Sequence, residues 1–519
     1  MSRGADYVIV GGGTAGCVLA ARLSEDPGAS VVLLELGAAD HGIAERGALQ
    51  APSAAQDFGY TTVAQPGLNG RAVPIARGRL LGGSSAINAL LHVRGNRRDF
   101  DAWRALGNRG WGHEDVLPYF KRSETYYGPP SALRGRHGPV SIIDCRAPSP
   151  VSHAFVAAAA ERTGGRKYND FNGESQEAGP GFYQSTRTPD GGRVTAASAF
   201  IAPIEARPNL RVMTGARATR VLIERTRAIG VEYVSEGRVE SIRAAREVVL
   251  CGGAFETPKL MLLSGLGGAE PLRRLGIDVV VDLPGVGDNL QDHLMLGVGF
   301  VSRLPLDAPE LLAEAGLFCW TDGGARSSSP DLQFFFGPVQ FVAERYRTDE
   351  PGFTFAPILV QPRSRGQVSL ASKEPSALAR VDPRYLSDPD DLAVLCRGIT
   401  FARELAHGKP FEAFRGRELA PGPHVIERAA LEDYVRSVAT TVWHPAGTCK
   451  MGADRQAVVD DELRVHGVEQ LRVADASVMP TLVCGNPNAA VMMIAERAAE
   501  LIAASAGARS PRQASRLTM

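Results

Sequence analysis

The sequence predicts an α/β chain, α+β overall: a parallel-stranded unit at the start, and a second region built on an antiparallel sheet covered by helices. Two observations predict it. Residues 6–10 (Asp-Tyr-Val-Ile-Val) form a short apolar run that stops at Gly11, as a buried parallel strand does. A helical pattern and a second apolar run follow within about 30 residues, which makes a βαβ unit. Between Gly297 and about Thr440, segments 331–336, 354–361 and 367–370 read as antiparallel strands divided by Pro and Gly.

Taken in order, Thr14 to Glu25 is apolar at Cys17, Val18, Ala20, Ala21 and Leu23 and predicts the first helix. Val31 to Glu35 is the second strand. Residues 59–82 are rich in Gly, Pro and Arg and read as an extended loop or lid. Gly128 to Pro150 carries five prolines and reads as a connector. Strand-like segments at 210–213, 228–233 and 247–250 alternate with charged turns. Asp388-Pro-Asp-Asp opens a helix to about Leu405, with Asp388 as its N-cap. Asn488 to Ser505 is helical, and 507–519 is a polar, basic tail expected to be disordered.

The chain has 519 residues, long enough for two to four domains. Its 57 Lys and Arg balance 57 Asp and Glu, which argues against a general nucleic-acid binder. Seven cysteines are scattered with no CxxC, so zinc ribbons and thioredoxin-like chemistry are not expected, and no Cys/His pattern has metal spacing. Reduced thiols, no signal-peptide pattern and no apolar run of about 18 residues lead us to expect a cytoplasmic protein with no membrane span.

Gly11-Gly-Gly-Thr-Ala-Gly16 contains GxGxxG as Gly11, Gly13 and Gly16. Gly11 allows a tight turn, Gly13 lets the backbone approach a pyrophosphate, and Gly16 lets helix and strand pack closely. Thr14 and Ala15 stand at the helix N-terminus, which attracts phosphate. Glu35 ends the second strand about 20 residues after Gly16, where a carboxylate binds adenosine ribose hydroxyls. The unit is therefore a Rossmann-like dinucleotide site. The motif does not itself separate FAD from NAD; its place near the chain start leans towards FAD.

Four further segments resemble the glucose–methanol–choline (GMC) oxidoreductase family. They are Gly78-Arg-Leu-Leu-Gly-Gly-Ser-Ser-Ala-Ile-Asn88, followed by Val93-Arg-Gly and 99–103; Cys251-Gly-Gly-Ala-Phe-Glu-Thr-Pro258; Pro284-Gly-Val-Gly-Asp-Asn-Leu-Gln-Asp-His293; and Trp443-His-Pro-Ala-Gly-Thr-Cys-Lys-Met-Gly452 with 471–480 and 485–496. The resemblance spans nearly the whole chain. It implies a bound FAD, two domains and alcohol oxidation. It assigns 1–145 (with the loop 59–82), 191–296 and 441–506 to FAD binding and 297–440 to the substrate, with 146–190 as connector and part of the substrate domain. By the same resemblance Arg79, Gly82, Gly83, Ser84 and Asn88 belong to the loop passing the flavin. Asp475 and Ala476 contact its phosphates and ribityl chain, and Asn488 and Ala489 begin a helix at the cofactor. Relatives that attach FAD covalently carry His before the loop Asn; here it is Ile87, so the FAD is expected to be non-covalent. His444 matches the catalytic His and Asn488 the second active-site position.

Oxidising an alcohol removes its hydroxyl proton and moves a hydride to flavin N5. A neutral His can take that proton, and a polar neighbour can fix the oxygen. His444 and Asn488 are expected to fill these roles, with oxygen or another acceptor reoxidising the flavin. Asn488 has a second reading as the N-cap of the last helix. His92, His293, Asp288 and Asp292 read as packing or turn residues. Phe334 to Phe336 reads as core first and pocket wall second, and Arg94 to Arg98 as a solvated or salt-bridged face. The alternatives to alcohol oxidation are a hydroxynitrile lyase of the same fold with non-redox FAD, an inactive flavin-binding module, and a pyridine-nucleotide dehydrogenase.

Overall fold

A computed structural model describes residues 4–39, 52–322 and 328–509. Strand β1 (Gly4–Val10), helix α1 (Thr14–Leu23) and strand β2 (Val31–Leu34) open the chain. Every α1 residue but Arg22 is buried, because the helix lies between the sheet and the last helix. The middle of the chain adds helix α2 (Pro150–Thr163) and strands β3 (Leu210–Met213), β4 (Arg217–Glu224), β5 (Arg227–Ser235) and β6 (Arg238–Leu250). Helix α3 (Gly253–Leu263) follows β6 as α1 follows β1.

The second half supplies β7 (Val298–Ser302), β8 (Ala315–Cys319), β9 (Leu332–Gly337), β10 (Gly352–Leu359), helix α4 (Pro389–His407) and β11 (Arg415–Ala420). The chain then returns with β12 (Leu471–Val473) and helix α5 (Asn488–Arg509).

Two sheets organise these elements. The first runs β3-β2-β1-β6-β5-β4, with β12 pairing β6. Its β3, β2, β1, β6 and β12 are parallel, while β4 and β5 form an antiparallel ribbon on the first half of β6. The second sheet runs β11-β7-β10-β9-β8, ending on Gly181–Phe182, and these strands pair antiparallel. Helices α2 and α4 pack on it.

The alternation of β9 divides its phenylalanines. Phe334 is buried near Phe155 and Phe401, whereas Phe335 sits opposite Ala356 of β10 on the face turned to the large cavity. Phe336 stacks on Phe155 at 4.7 Å and also reaches the cavity wall. Both readings of this triplet thus hold for different members.

Several expectations change. Residues 59–82 are not a free loop. Tyr60–Thr61 pairs with Pro74–Ile75, and Tyr60, Leu68, Val73 and Ile75 are buried. These four apolar side chains anchor a stretch that its Gly and Pro content marks as open. Strand 366–369, expected beside the other antiparallel strands, pairs instead with 288–290 and 380–382 in a separate small sheet. The N-cap at Asp388 is as expected, with its carboxylate accepting from Asp390 N at 2.9 Å. Helix α5 runs on to Arg509, past the expected start of the tail, and residues 510–519 lie outside the described residues. None of the seven cysteines forms a disulfide. No helix among the described residues is long and apolar enough to cross a membrane.

Candidate active site

The carboxyl ends of β1, β2 and β6 open on one cavity of about 920 Å³, at the top of the size range of small-molecule and cofactor sites. Ligands bind at such strand ends because the following turns expose backbone N–H groups there. The first turns of α1, α3 and α5 all stand on the wall: Thr14 and Ala15, Gly253 and Ala254, Asn488 and Val491. Each N-terminus carries about half a positive charge, so a cavity fed by three of them favours an anionic ligand.

Of the residues expected to hold the cofactor, the wall includes Gly11, Gly13, Thr14, Ala15, Glu35, Gly83, Ser84, Asn88, Asp475, Ala476 and Asn488. Gly16, Arg79, Gly82 and Ala489 are not on it. Gly16 lies where a Cβ would come within 1.9 Å of the Gly11 carbonyl oxygen, so it serves the helix–strand packing. The guanidinium of Arg79 points to the carbonyls of Ala54 and Ala55. Gly82 donates its N–H to Gly12 O, and Ala489 is buried. The arginine of this loop that lies on the wall is Arg77, which nothing in the sequence separated from Arg79 two residues on. Its Nη1 donates to Trp443 O at 2.9 Å and its Nη2 to Ser84 Oγ at 2.5 Å.

The residues present fit an FAD. A Cβ on Gly83 would lie 2.7 Å from Gly13 Cα, so the glycine turn and the flavin-loop turn approach as only glycines allow. Glu35 accepts from Gly12 N and Gly37 N, both at 2.7 Å, and burial raises its carboxyl to about 7. Asp475 takes four donors, from Ser477 N and Oγ, Gly253 N and Thr257 Oγ1, and so ties the start of α3 to the turn after β12. The Asn88 side-chain oxygen accepts from Leu90 N and Arg193.

His444 lies beside the junction of the two sheets. Thr440–Thr441 pairs with Leu294–Met295, which in turn pairs with β10. The chain passes Trp443 at φ 61°, a conformation that costs a bulky residue about 1–3 kcal/mol. It is held there by Thr441 Oγ1, which accepts Trp443 N at 2.7 Å, and by Arg77 on the Trp443 carbonyl. Asp292, expected to be a turn residue, is the keystone of this turn. Its buried carboxylate accepts from His444 N, His293 N, Tyr385 Oη and Thr441 Oγ1, at 2.9, 3.0, 2.5 and 2.5 Å.

His444 and His293 face each other through their Nδ1 atoms at 3.0 Å. Burial, then His293, then Arg77 hold the His444 imidazole well below its usual titration range. Burial lowers His293 to about 3. Both rings are thus neutral near pH 7, and one Nδ1–H must donate to the other Nδ1.

The partner on the far side of His444 is Asn486, not Asn488. Asn486 Nδ2 lies 3.4 Å from His444 Nε2, and its Oδ1 is buried with no partner among the described residues. Asn488 instead accepts from Thr14 Oγ1 at 2.9 Å, joining α5 to α1. Nor does Asn488 cap the helix: it is the first helical residue, and Pro487 O accepts the first bond, from Val491 N. Asn486 sits in the turn ahead of the helix. Asp99 fixes that turn by accepting Cys484 N at 2.6 Å, and burial raises the Asp99 carboxyl to about 6. The signal that could have found Asn486 is its place in the loop before Pro487, since a side chain in the first turn of a helix packed on α1 is already engaged.

Other expectations settle as structure. Glu124 collects Arg94, Arg134 and His92 in a buried cluster, and Arg98 pairs with Glu177. No group of three metal-ligating side chains occurs among the described residues.

Two family models described as GMC oxidoreductase match residues 5–295 and 362–495. The chain belongs to the GMC oxidoreductase family. It is 39% identical to an oxygen-dependent choline dehydrogenase of Brucella anthropi, over 96% of this chain and 95% of the relative. Its fold matches a crystal structure of pyridoxine 4-oxidase from Mesorbium loti with a TM-score of 0.88 and 35% identity, over 96% of this chain and 98% of that one. It also matches Aspergillus oryzae formate oxidase with a TM-score of 0.87 and 26% identity, over 98% and 99%. This GMC protein is an FAD-dependent oxidoreductase acting on CH–OH donors.

Proposed function

We propose that the protein oxidises an alcohol to an aldehyde or ketone, with His444 as general base and Asn486 holding the substrate oxygen. The observation that carries this is the neutral, cavity-lining His444 with Asn486 against its Nε2. FAD, when bound, supplies the hydride acceptor at its N5.

The tautomer follows from the contacts. For Nε2 to accept a proton, Nδ1 must carry the hydrogen and donate it to His293 Nδ1. The Asn486 amide N–H towards Nε2 favours the same arrangement, since it needs a lone pair there. A hydroxyl between Nε2 and Asn486 Nδ2 gives its proton to the first and accepts from the second. The low affinity of His444 for a proton has a consequence. The imidazolium is stable only while negative charge is present beside it, so proton transfer and loss of the hydride from carbon are coupled. Arg77 and the start of α5 are fixed positive groups on the same wall and would offset that negative charge.

The division of labour belongs to the same proposal: the parallel sheet and its turns hold FAD, and the antiparallel sheet walls the substrate. The FAD is held without a covalent bond, because Ile87 offers no nucleophile at the loop position. Oxygen or another acceptor takes the electrons. Anaerobic addition of a panel of alcohols to the yellow protein tests the activity. Bleaching by at least one is expected; no bleaching by any, with cyanide released from a cyanohydrin, would replace this reading by the lyase.

A further inference from the structure

The part of the cavity built by the antiparallel sheet has a composition of its own. Between residues 295 and 356 its wall is apolar and aromatic, with Met295, Leu312, Phe335, Phe341 and Ala356 among its members. Its one hydroxyl among the described residues, Thr354, is spent on the backbone of Phe341 and Val339. Among the described residues its one charged group is Arg347. This side chain is exposed, so it marks where the chamber meets solvent. Its Nε donates to Val342 O at 3.2 Å, and no carboxylate among the described residues pairs with it. Glu344 and Asp349, exposed on the same segment, do not.

Among the described residues the cavity's carboxylates stand on the other side and are engaged. Glu35 holds Gly12 and Gly37, Asp475 holds four donors, and Glu256 holds Tyr60 and Lys259. A quaternary ammonium alcohol would find no counter-charge among the described residues of this chamber. Phe335 and Phe341 offer it cation–π contact, but Arg347 repels it from the same wall. A flat apolar body fits the aromatic wall, and a carboxylate at its far end would meet the unpaired guanidinium.

We propose that the substrate is an alcohol with an apolar, aromatic-sized body and an acidic group remote from the hydroxyl, paired with Arg347, and that it is not a quaternary ammonium alcohol. The proposal rests on the alcohol-oxidation reading of the same cavity. Two substrates of equal shape test it on the FAD-loaded enzyme: 4-(hydroxymethyl)benzoate and the neutral 4-(hydroxymethyl)benzamide, with choline as the cationic arm. The ratio of kcat/KM for the benzoate over the benzamide should be about fivefold, as for an ion pair at a solvent edge. It should fall to about one in Arg347→Met, be partly kept in Arg347→Lys, and shrink in high salt.

A ratio of one or less in the wild type, a ratio untouched by Arg347→Met, or choline outrunning both would overturn the proposal. Were choline alone to bleach the flavin, alcohol oxidation would stand and this proposal would fall. Were no alcohol to bleach it, the alcohol reading would fall. Titration with the unreactive 4-methylbenzoate against 4-methylbenzamide, read by flavin absorbance in wild type and Arg347→Met, would then still decide the role of the arginine. Equal affinities would end it.

Discussion

On the proposed reading, two asparagines at the head of α5 divide the work between chemistry and packing. Asn486 faces His444, while Asn488 accepts from Thr14 and ties α5 to α1. Asn486→Ala should therefore slow flavin reduction by about 10- to 100-fold, or about 1.4–2.7 kcal/mol. Asn488→Ala should act first on retention of FAD. Anaerobic rapid mixing of both variants checks this, and a slower reaction in Asn488→Ala than in Asn486→Ala would reverse the assignment. The His293–His444 contact adds a pH signature. Each ring titrates lower in the folded protein than the ordinary 6.5, so the unfolded chain binds more protons below that pH and stability is lost as pH falls. For His293 the window runs from 6.5 to about 3, at about 1.4 kcal/mol per pH unit. His293→Gln removes this contribution. Its melting temperature relative to wild type should rise between pH 7.5 and 5, and a constant difference would show that His293 is not buried neutral.

At the scale of elements, the N-terminal glycines separate folding from cofactor approach. A Cβ on Gly16 would collide with Gly11 O, but one on Gly13 has no heavy atom nearer than 4.0 Å, and Gly13 has φ −75°. Gly16→Ala should abolish soluble protein, and Gly13→Ala should fold yet load FAD poorly. Thermal melting with flavin absorbance per protein distinguishes the two; a yellow Gly13→Ala protein at full occupancy would remove that glycine from the cofactor's path. The βαβ unit and the cap at Asp388 were legible because short-range rules decide them: an apolar run stopped by glycine, and an Asp before Pro. The hairpin within 59–82 was not, since Tyr60 owes its burial to Phe255 and Glu256, far along the chain. The same limit hid Asn486 and Arg77. Which of two like residues, two positions apart, reaches His444 or the cavity wall is set by partners such as Asp99 and Ser84 that no local pattern reveals.

Across the whole molecule, the site is made where separate stretches of chain meet. His444 follows a strand paired to the antiparallel sheet, its ring meets His293, and its backbone is held by Asp292. The balanced charge of the chain leaves local groups to handle any anion in the cavity: three helix starts, Arg77, Arg217 and Arg347. Acid precipitation should release free FAD, as Ile87 implies, and flavin retained in the pellet would contradict non-covalent binding. The central claim is that His444 takes the substrate proton. The direct test is the single-turnover rate of flavin reduction by a reactive alcohol, without oxygen, in wild type and His444→Ala holoenzymes of equal FAD content. The rate should fall about 10²- to 10⁴-fold in the variant; reduction at near-wild-type speed would contradict the claim.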